Sequence, residues 1–218
     1  MRRFEMYGFR PGTTPAQVAE LARVLRDSGR FIPELVDSAV GTNRSTTDVD
    51  LVWEHAYESP EHYERYMRHP FHICVLDRYL LPEGPECITA SRRELAMGLV
   101  GYEVDGAPFR RREGIRRVVV LKLDPGAEPL VLDAFLEAPA DRSESVPDLR
   151  CSAVAVNTMG LEWWPDAWTH VWEQAFDDEA AMERALPGEA ALLEAGPVAS
   201  WAARWNCRTS IWAASSRA

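Results

Sequence analysis

The chain has 218 residues, 46% of them apolar, and its 34 acidic against 24 basic residues give a net charge of -10. That balance argues against phosphate-backbone or anionic-membrane binding as its main activity, because both need positive surface, so neither nucleic acid nor membrane is an expected partner. No apolar run reaches the roughly 18 residues that span a bilayer, and MRRFEMYGFR lacks the apolar stretch of a signal peptide, so a cytoplasmic protein is expected.

In chain order, residues 3–9 form a short aromatic-rich run closed by Pro-Gly, which reads as a strand and turn. TPAQVAELARVLRDSG follows as a helix, with Thr14 as N-cap, Pro15 in the first turn, apolar Val18, Leu21, Ala22 and Leu25, and Gly29 as terminator. LVDSAVGTN and VDLVWEHAYE read as two strands across a polar turn, and alternation puts Leu51, Trp53, His55 and Tyr57 on one face. SPEHYERYM begins a second helix at Ser59 and Pro60; residues 97–104 supply a last strand.

The whole order then recurs. FEMYGFRPG (4–12) aligns with VVVLKLDPG (118–126), IPELVDSAVGTN (32–43) with VPDLRCSAVAVN (146–157), and VWEHAYESPEHYERYM (52–67) with VWEQAFDDEAAMERAL (171–186). VASWAARWN (198–206) is the second copy's expected last strand. Three blocks in one order imply a duplicated module, each copy reading β-α-β-β-α-β, the ferredoxin-like arrangement. A sheet with helices on one face leaves the other face to be covered, and two such sheets can cover each other. The expected fold is α+β, with two ferredoxin-like repeats (1–108 and 109–218) in an intramolecular α/β barrel, joined by the Arg-rich DGAPFRRREGIRR at 105–117.

YMRHPFH, residues 66–72, is the densest cluster of chemistry-bearing side chains in the first half. Pro70 must break the helix begun at Pro60, which places His72 in the first turn of a new helix, where free amides disfavour protonated imidazole and keep it usable as a base. The bland alternative is that His69 and His72 cap helix ends and that Tyr66 is core. His55, Trp53 and Tyr7 are further pocket candidates. Glu54 and Glu173 occupy equivalent positions in the two VWE segments; a catalytic carboxylate pair across a two-fold axis is one reading, and solvated edge positions with ordinary surface pairing are the expected one. GLEWWPDAWTH (160–170) concentrates tryptophans in a loop of the second half, making Trp168 and His170 candidates for an apolar lid. Cys74, Cys87, Cys151 and Cys207 form no CxxC pair, no acidic ligand completes a set with the two histidines of HPFH, and no nucleotide-binding or nucleophile-elbow motif occurs; neither metal nor cofactor is expected. Lys122 is the only lysine, which leaves little room for Schiff-base chemistry.

VWEHAYESPEHYERYMRHPFHICV, with its strand followed by a helix ending in Tyr-x-x-His-Pro-x-His, resembles the stress-responsive α/β-barrel (Dabb) family of the dimeric α/β-barrel superfamily. The likeness extends over the first half and is looser in the second. The family includes polyketide cyclases of the olivetolic acid cyclase type, which close rings without metal or organic cofactor. The resemblance implies catalytic roles for Tyr66 and His72, and it places Arg3 where the family's cyclase carries a first-strand histidine. Arginine cannot act as a base but can stabilise an anionic oxygen. In the second half Ala185 stands in for the tyrosine and Glu189 for the histidine. The expectation is a cofactor-independent cyclase, isomerase or lyase acting on a polyketide-like or aromatic small molecule. A non-catalytic stress or ligand-binding protein and a cofactor-free monooxygenase are the alternatives, and association into a homodimer beyond the internal pair is open.

Overall fold

The computed structural model describes residues 1–42, 50–90, 99–102, 115–147, 149–157, 169–198 and 211–214. The first half contains β1 (Arg2–Tyr7), α1 (Pro15–Phe31), β2 (Asp37–Thr42), β3 (Leu51–Ala56), α2 (Pro60–Arg68), a π-helical turn (His72–Leu76), α3 (Asp77–Leu80) and β4 (Leu99–Tyr102). The second contains β5 (Ile115–Leu121), α4 (Pro129–Ser145), β6 (Leu149–Val156), β7 (His170–Phe176), α5 (Glu179–Ala195) and β8 (Ile211–Ala214). The fold is α+β and ferredoxin-like. The strands pair in the order β4-β1-β3-β2-β8-β5-β7-β6, so β8 of the second half docks beside β2 of the first. Among the described residues, no helix is long and apolar enough to cross a membrane.

Helix α1 starts as the sequence dictates: the Thr14 hydroxyl accepts from the Gln17 amide while the Gln17 side chain accepts from the Thr14 amide, a reciprocal capping box. It does not stop at Gly29, as expected, but runs on to Phe31. Gly29 lies over β2, where a Cβ would meet the Ser38 Cβ at 3.4 Å, an ordinary contact. Leu21, Val24 and Leu25 of α1 pack with Ile32, Leu35, Trp53, Tyr66 and Leu76 in the first-half core. At about 1.5–3 kcal/mol per fully buried large side chain, this layer holds helix to sheet. The second half divides its apolar core between a cluster around Leu149 and Phe176 and one around Leu121, Phe135 and Trp172.

The strand expected at 198–206 lies outside the described residues except for Val198, which makes an isolated bridge to Leu123 that matches the Phe9–Thr89 bridge of the first half; the described last strand is Ile211–Ala214. Two sequence expectations need correction. The Arg-rich segment does not stay a linker to 117, because Ile115, Arg116 and Arg117 belong to β5 and are buried, each guanidinium meeting a buried carboxylate. Glu54 and Glu173 are not solvated edge residues: they are 5% and 0% exposed. β3 and β7 are internal strands with both faces covered, and on the face away from the helices Glu54 pairs with Arg2 and Glu173 with Arg116. Cross-contacts tie the halves together, Arg2 Nε lying 3.7 Å from Glu173 Oε2 and Arg116 Nη2 4.0 Å from Glu54 Oε1. Burial pushes the Glu173 carboxyl up to about 7 and the Arg116 guanidinium down to about 9, and their direct contact opposes both shifts by favouring the charged pair.

Candidate functional site

Alternation along β1 sends Arg3, Glu5 and Tyr7 to the helix-covered face, and the antiparallel register sets Arg3 opposite His55 and Glu5 opposite Trp53. Arg3 is 3% exposed and Glu5 2%; Arg3 Nη2 lies 2.9 Å from Glu5 Oε1. Arg3 Nη1 donates to the Tyr63 hydroxyl at 3.0 Å, and its guanidinium carbon stands 5.0 Å from the Tyr63 ring centroid. Burial disfavours the Arg3 charge, yet Glu5 and the surrounding phenols outweigh that and raise its pKa further. The Tyr7 hydroxyl donates to Glu5 Oε2.

His55 is fully buried, stacked on Trp53 at 4.1 Å between centroids. Its Nδ1 lies 2.6 Å from the Tyr57 hydroxyl and its Nε2 3.4 Å from Glu5 Oε1, too poorly aligned for a full hydrogen bond. Burial pushes its pKa down to about 4, so the ring is neutral near pH 7. Trp53 anchors the floor, its indole N–H donating to Ser38 Oγ at 2.9 Å.

The roof comes from the break at Pro70. α2 ends at Arg68, and His69 is extended (φ -68, ψ 136), as a residue before proline must be. The chain re-enters not as a plain α-helix but as a π-helical turn starting at His72, closed by the Asp77 amide donating to the His72 carbonyl. Single π turns concentrate at functional sites, because the extra residue rotates side chains off the regular helical stripe. His72 is 8% exposed and sets its ring edge-on to Tyr66, centroids 4.5 Å apart at 64°. Tyr66 is completely buried among Trp53, His55, Tyr57 and Tyr63. Its hydroxyl makes no hydrogen bond of ordinary geometry among the described residues, and burial pushes its pKa well up, keeping it a protonated donor.

Arg3, His55, Trp53, Tyr7, Tyr66 and His72 therefore share one layer between sheet and helices. His69 does not join them: half-buried, it accepts the Phe71 amide on its Nδ1 at 3.1 Å, a local cap. His170 begins β7 in the other half, with Nδ1 3.0 Å from Thr169 Oγ1, and its described contacts reach none of the cluster. Trp168 lies outside the described residues. Sequence reasoning missed Glu5, Tyr57 and Tyr63. The signal for Glu5 was present, an acid two residues from Arg3 on the same strand face, whereas Tyr57 and Tyr63 look like any aromatic beside a core.

Residues 1–83 match the family model of the Stress responsive A/B Barrel Domain, Dabb. No curated protein matches the chain. Among solved structures, the chain is similar to an anthrone oxidase-like protein at 14% identity and a TM-score of 0.57, over 98% of this chain and 90% of that one. A mutant chlorite dismutase from Candidatus Nitrospira defluvii aligns at 11% identity and 0.56, over 99% and 90%. A protein described as a monooxygenase from Lactobacillus acidophilus aligns at 8% and 0.52, over 97% and 91%. At these identities the likeness is one of fold, and it extends beyond the Dabb segment through both halves.

Proposed function

We propose that the chain is a tandem pair of ferredoxin-like units, descended from one duplicated module and closing into an α/β barrel, whose first half is a cofactor-independent enzyme acting on a small, mostly apolar carbonyl compound. His72 takes the proton from the carbon beside the carbonyl; the C–H electron pair moves into the carbonyl, and Tyr66 donates a hydrogen bond to the resulting enolate oxygen. Ring closure, double-bond migration or elimination then follows, and the protonated imidazole of His72 gives the proton back. Arg3, fixed by Glu5 and Tyr63, supplies a positive field that favours the developing oxyanion.

The observation that carries this reading is the Tyr66 phenol, a buried donor beside the Tyr57 hydroxyl but without a well-formed hydrogen bond among the described residues, packed against a buried imidazole. Leaving such a donor unsatisfied costs about 1–3 kcal/mol, which a polar ligand at that point recovers. The Dabb match adds support, since the Tyr-x-x-His-Pro-x-His segment lies inside it. The test is hydrogen–deuterium exchange at the α-carbon of a simple β-diketone in D2O, followed by NMR. Tyr66→Phe and His72→Ala should each slow exchange by about 10²-fold or more. Tyr66→Phe should keep the native melting temperature, since it deletes an oxygen that makes no hydrogen bond of ordinary geometry. Exchange undiminished in both variants would falsify the assignment. Binding of the diketone without any exchange would favour the ligand-binding alternative. The anthrone oxidase-like and monooxygenase neighbours make oxygen consumption a second readout of the same preparation.

A further inference from the structure

The two halves place the counter-ion of their buried arginine on opposite sides, and that difference specifies the charge of the ligand. Arg117 of β5 holds the register position of Arg3, opposite Gln174 where Arg3 faces His55. Its partner comes down from the helix: Glu189 of α5 accepts from Arg117 Nε at 2.6 Å and from Arg117 Nη2, while Gln174 Nε2 donates to the same carboxylate at 2.6 Å. Glu189 is 3% exposed, so a carboxylate of the chain's own occupies the space between sheet and helix in the second half. In the first half the sequence position matched to Glu189 is His72, and the carboxylate has moved to the strand as Glu5, where β5 carries Val119. Arg3 is thereby neutralised from within its own strand, and the helix side supplies no carboxylate there but the neutral Tyr63, which accepts from Arg3, with Tyr66 and His72. The Arg3 Nε and the Tyr66 hydroxyl are buried donors without well-formed hydrogen bonds, and the guanidinium is near enough for its charge to act on the Tyr66 phenol.

We infer that the first-half site takes an uncharged carbonyl compound and rejects the corresponding carboxylate, because Glu5 already balances Arg3 and the donors left over suit a neutral oxygen. A second buried carboxylate beside Glu5 would face a like charge in a site of low polarity, whereas a carbonyl oxygen meets donors and becomes negative only during reaction. The inference rests on the site assignment above but is read by binding rather than turnover, so its failure is distinguishable from failure of that assignment.

The experiment is calorimetric titration of the full chain with 2-hydroxyacetophenone and with salicylate, which share a ring and hydroxyl and differ in carrying a methyl ketone or a carboxylate. The ketone should bind at least about tenfold more tightly, a difference of about 1.4 kcal/mol. In Glu5→Gln, which leaves Arg3 unbalanced, salicylate should gain at least about tenfold and the preference should shrink or invert. Glu189→Gln, in the second half, should leave both affinities at their native values. Tighter or equal binding of salicylate by the native chain, or binding of neither compound, overturns the inference, as does a Glu5→Gln variant that is folded by circular dichroism yet keeps the native preference. The native comparison decides the matter alone if Glu5→Gln does not fold.

Discussion

The interiors of the two halves are built on the same strand register and furnished with different side chains. In both, a tryptophan on the third strand donates its indole N–H to a serine on the second, Trp53 to Ser38 at 2.9 Å and Trp172 to Ser152 at 2.8 Å. Both bury an arginine on the first strand. Beyond that they part. The second half closes its arginine with Glu189 and Gln174, and Ala185 replaces the phenol; its helix α5 runs without a break from Glu179 to Ala195 even with Pro187 inside. The first half breaks its helix at Pro70, turns His72 inward and leaves the Tyr66 hydroxyl without a hydrogen bond of ordinary geometry among the described residues. In the second half the carboxylate beside the buried arginine comes from the helix, and in the first half from the arginine's own strand.

That contrast can be broken from the second half first. Glu189→Ala strands Arg117 in the interior, and loss of one partner of a buried pair should cost about 3–5 kcal/mol in chemical denaturation. Glu189→Ala together with Arg117→Met should recover most of that loss, since both charges leave at once. If the single variant is as stable as the native chain, Glu189 is not the partner that holds Arg117 in the interior of the second half.

The next largest effect is one of pH. The His55 pKa is depressed in the fold to about 4 from an ordinary 6.5, so between those values the unfolded chain binds a proton that the folded chain does not. Its stabilising contribution is complete above pH 6.5 and is lost as pH falls towards 4, by at most about 1.4 kcal/mol per pH unit. Glu173, raised by burial, acts in the opposite sense over part of the same range, so the measurement is a difference. Denaturation of the native chain and of His55→Gln, which installs the second half's own residue, should give stability gaps that change with pH across this window. A gap that stays constant across the whole window would mean that His55 is not buried neutral.

The smallest effect tests what the halves share. Trp53→Phe and Trp172→Phe each remove an indole donor and orphan a serine hydroxyl, at about 1 kcal/mol for the hydrogen bond beyond the change in packing. Near-equal losses support equivalent frameworks; a large asymmetry would show that the tryptophan–serine contact is structural in one half only.

Periodicity and caps made much of the scaffold legible in the sequence. Thr14, Pro15, Ser59, Pro60 and Pro70 mark where helices must start or break, and the alternation in LVWEHA is unmistakable for a strand. The site was half legible: Tyr66, His72 and Arg3 stand out by type and spacing, while Glu5, Tyr57 and Tyr63 acquire meaning only through what packs against them. The misreading of Glu54 and Glu173 has the same origin. An acid on an alternating strand looks solvated until the neighbouring strand brings an arginine to it, Arg2 to Glu54 and Arg116 to Glu173.

Local backbone preferences act over a few residues, so the sequence by itself determined where elements begin, which strand face is apolar, and that the helix after β3 cannot pass Pro70 unbroken. Contacts between segments far apart in the chain belong to the tertiary structure, which alone decided that Arg3 is balanced from its own strand and Arg117 from a helix. Charge pairing inside a protein depends on distance and burial, and neither is written in the spacing of residues along the chain.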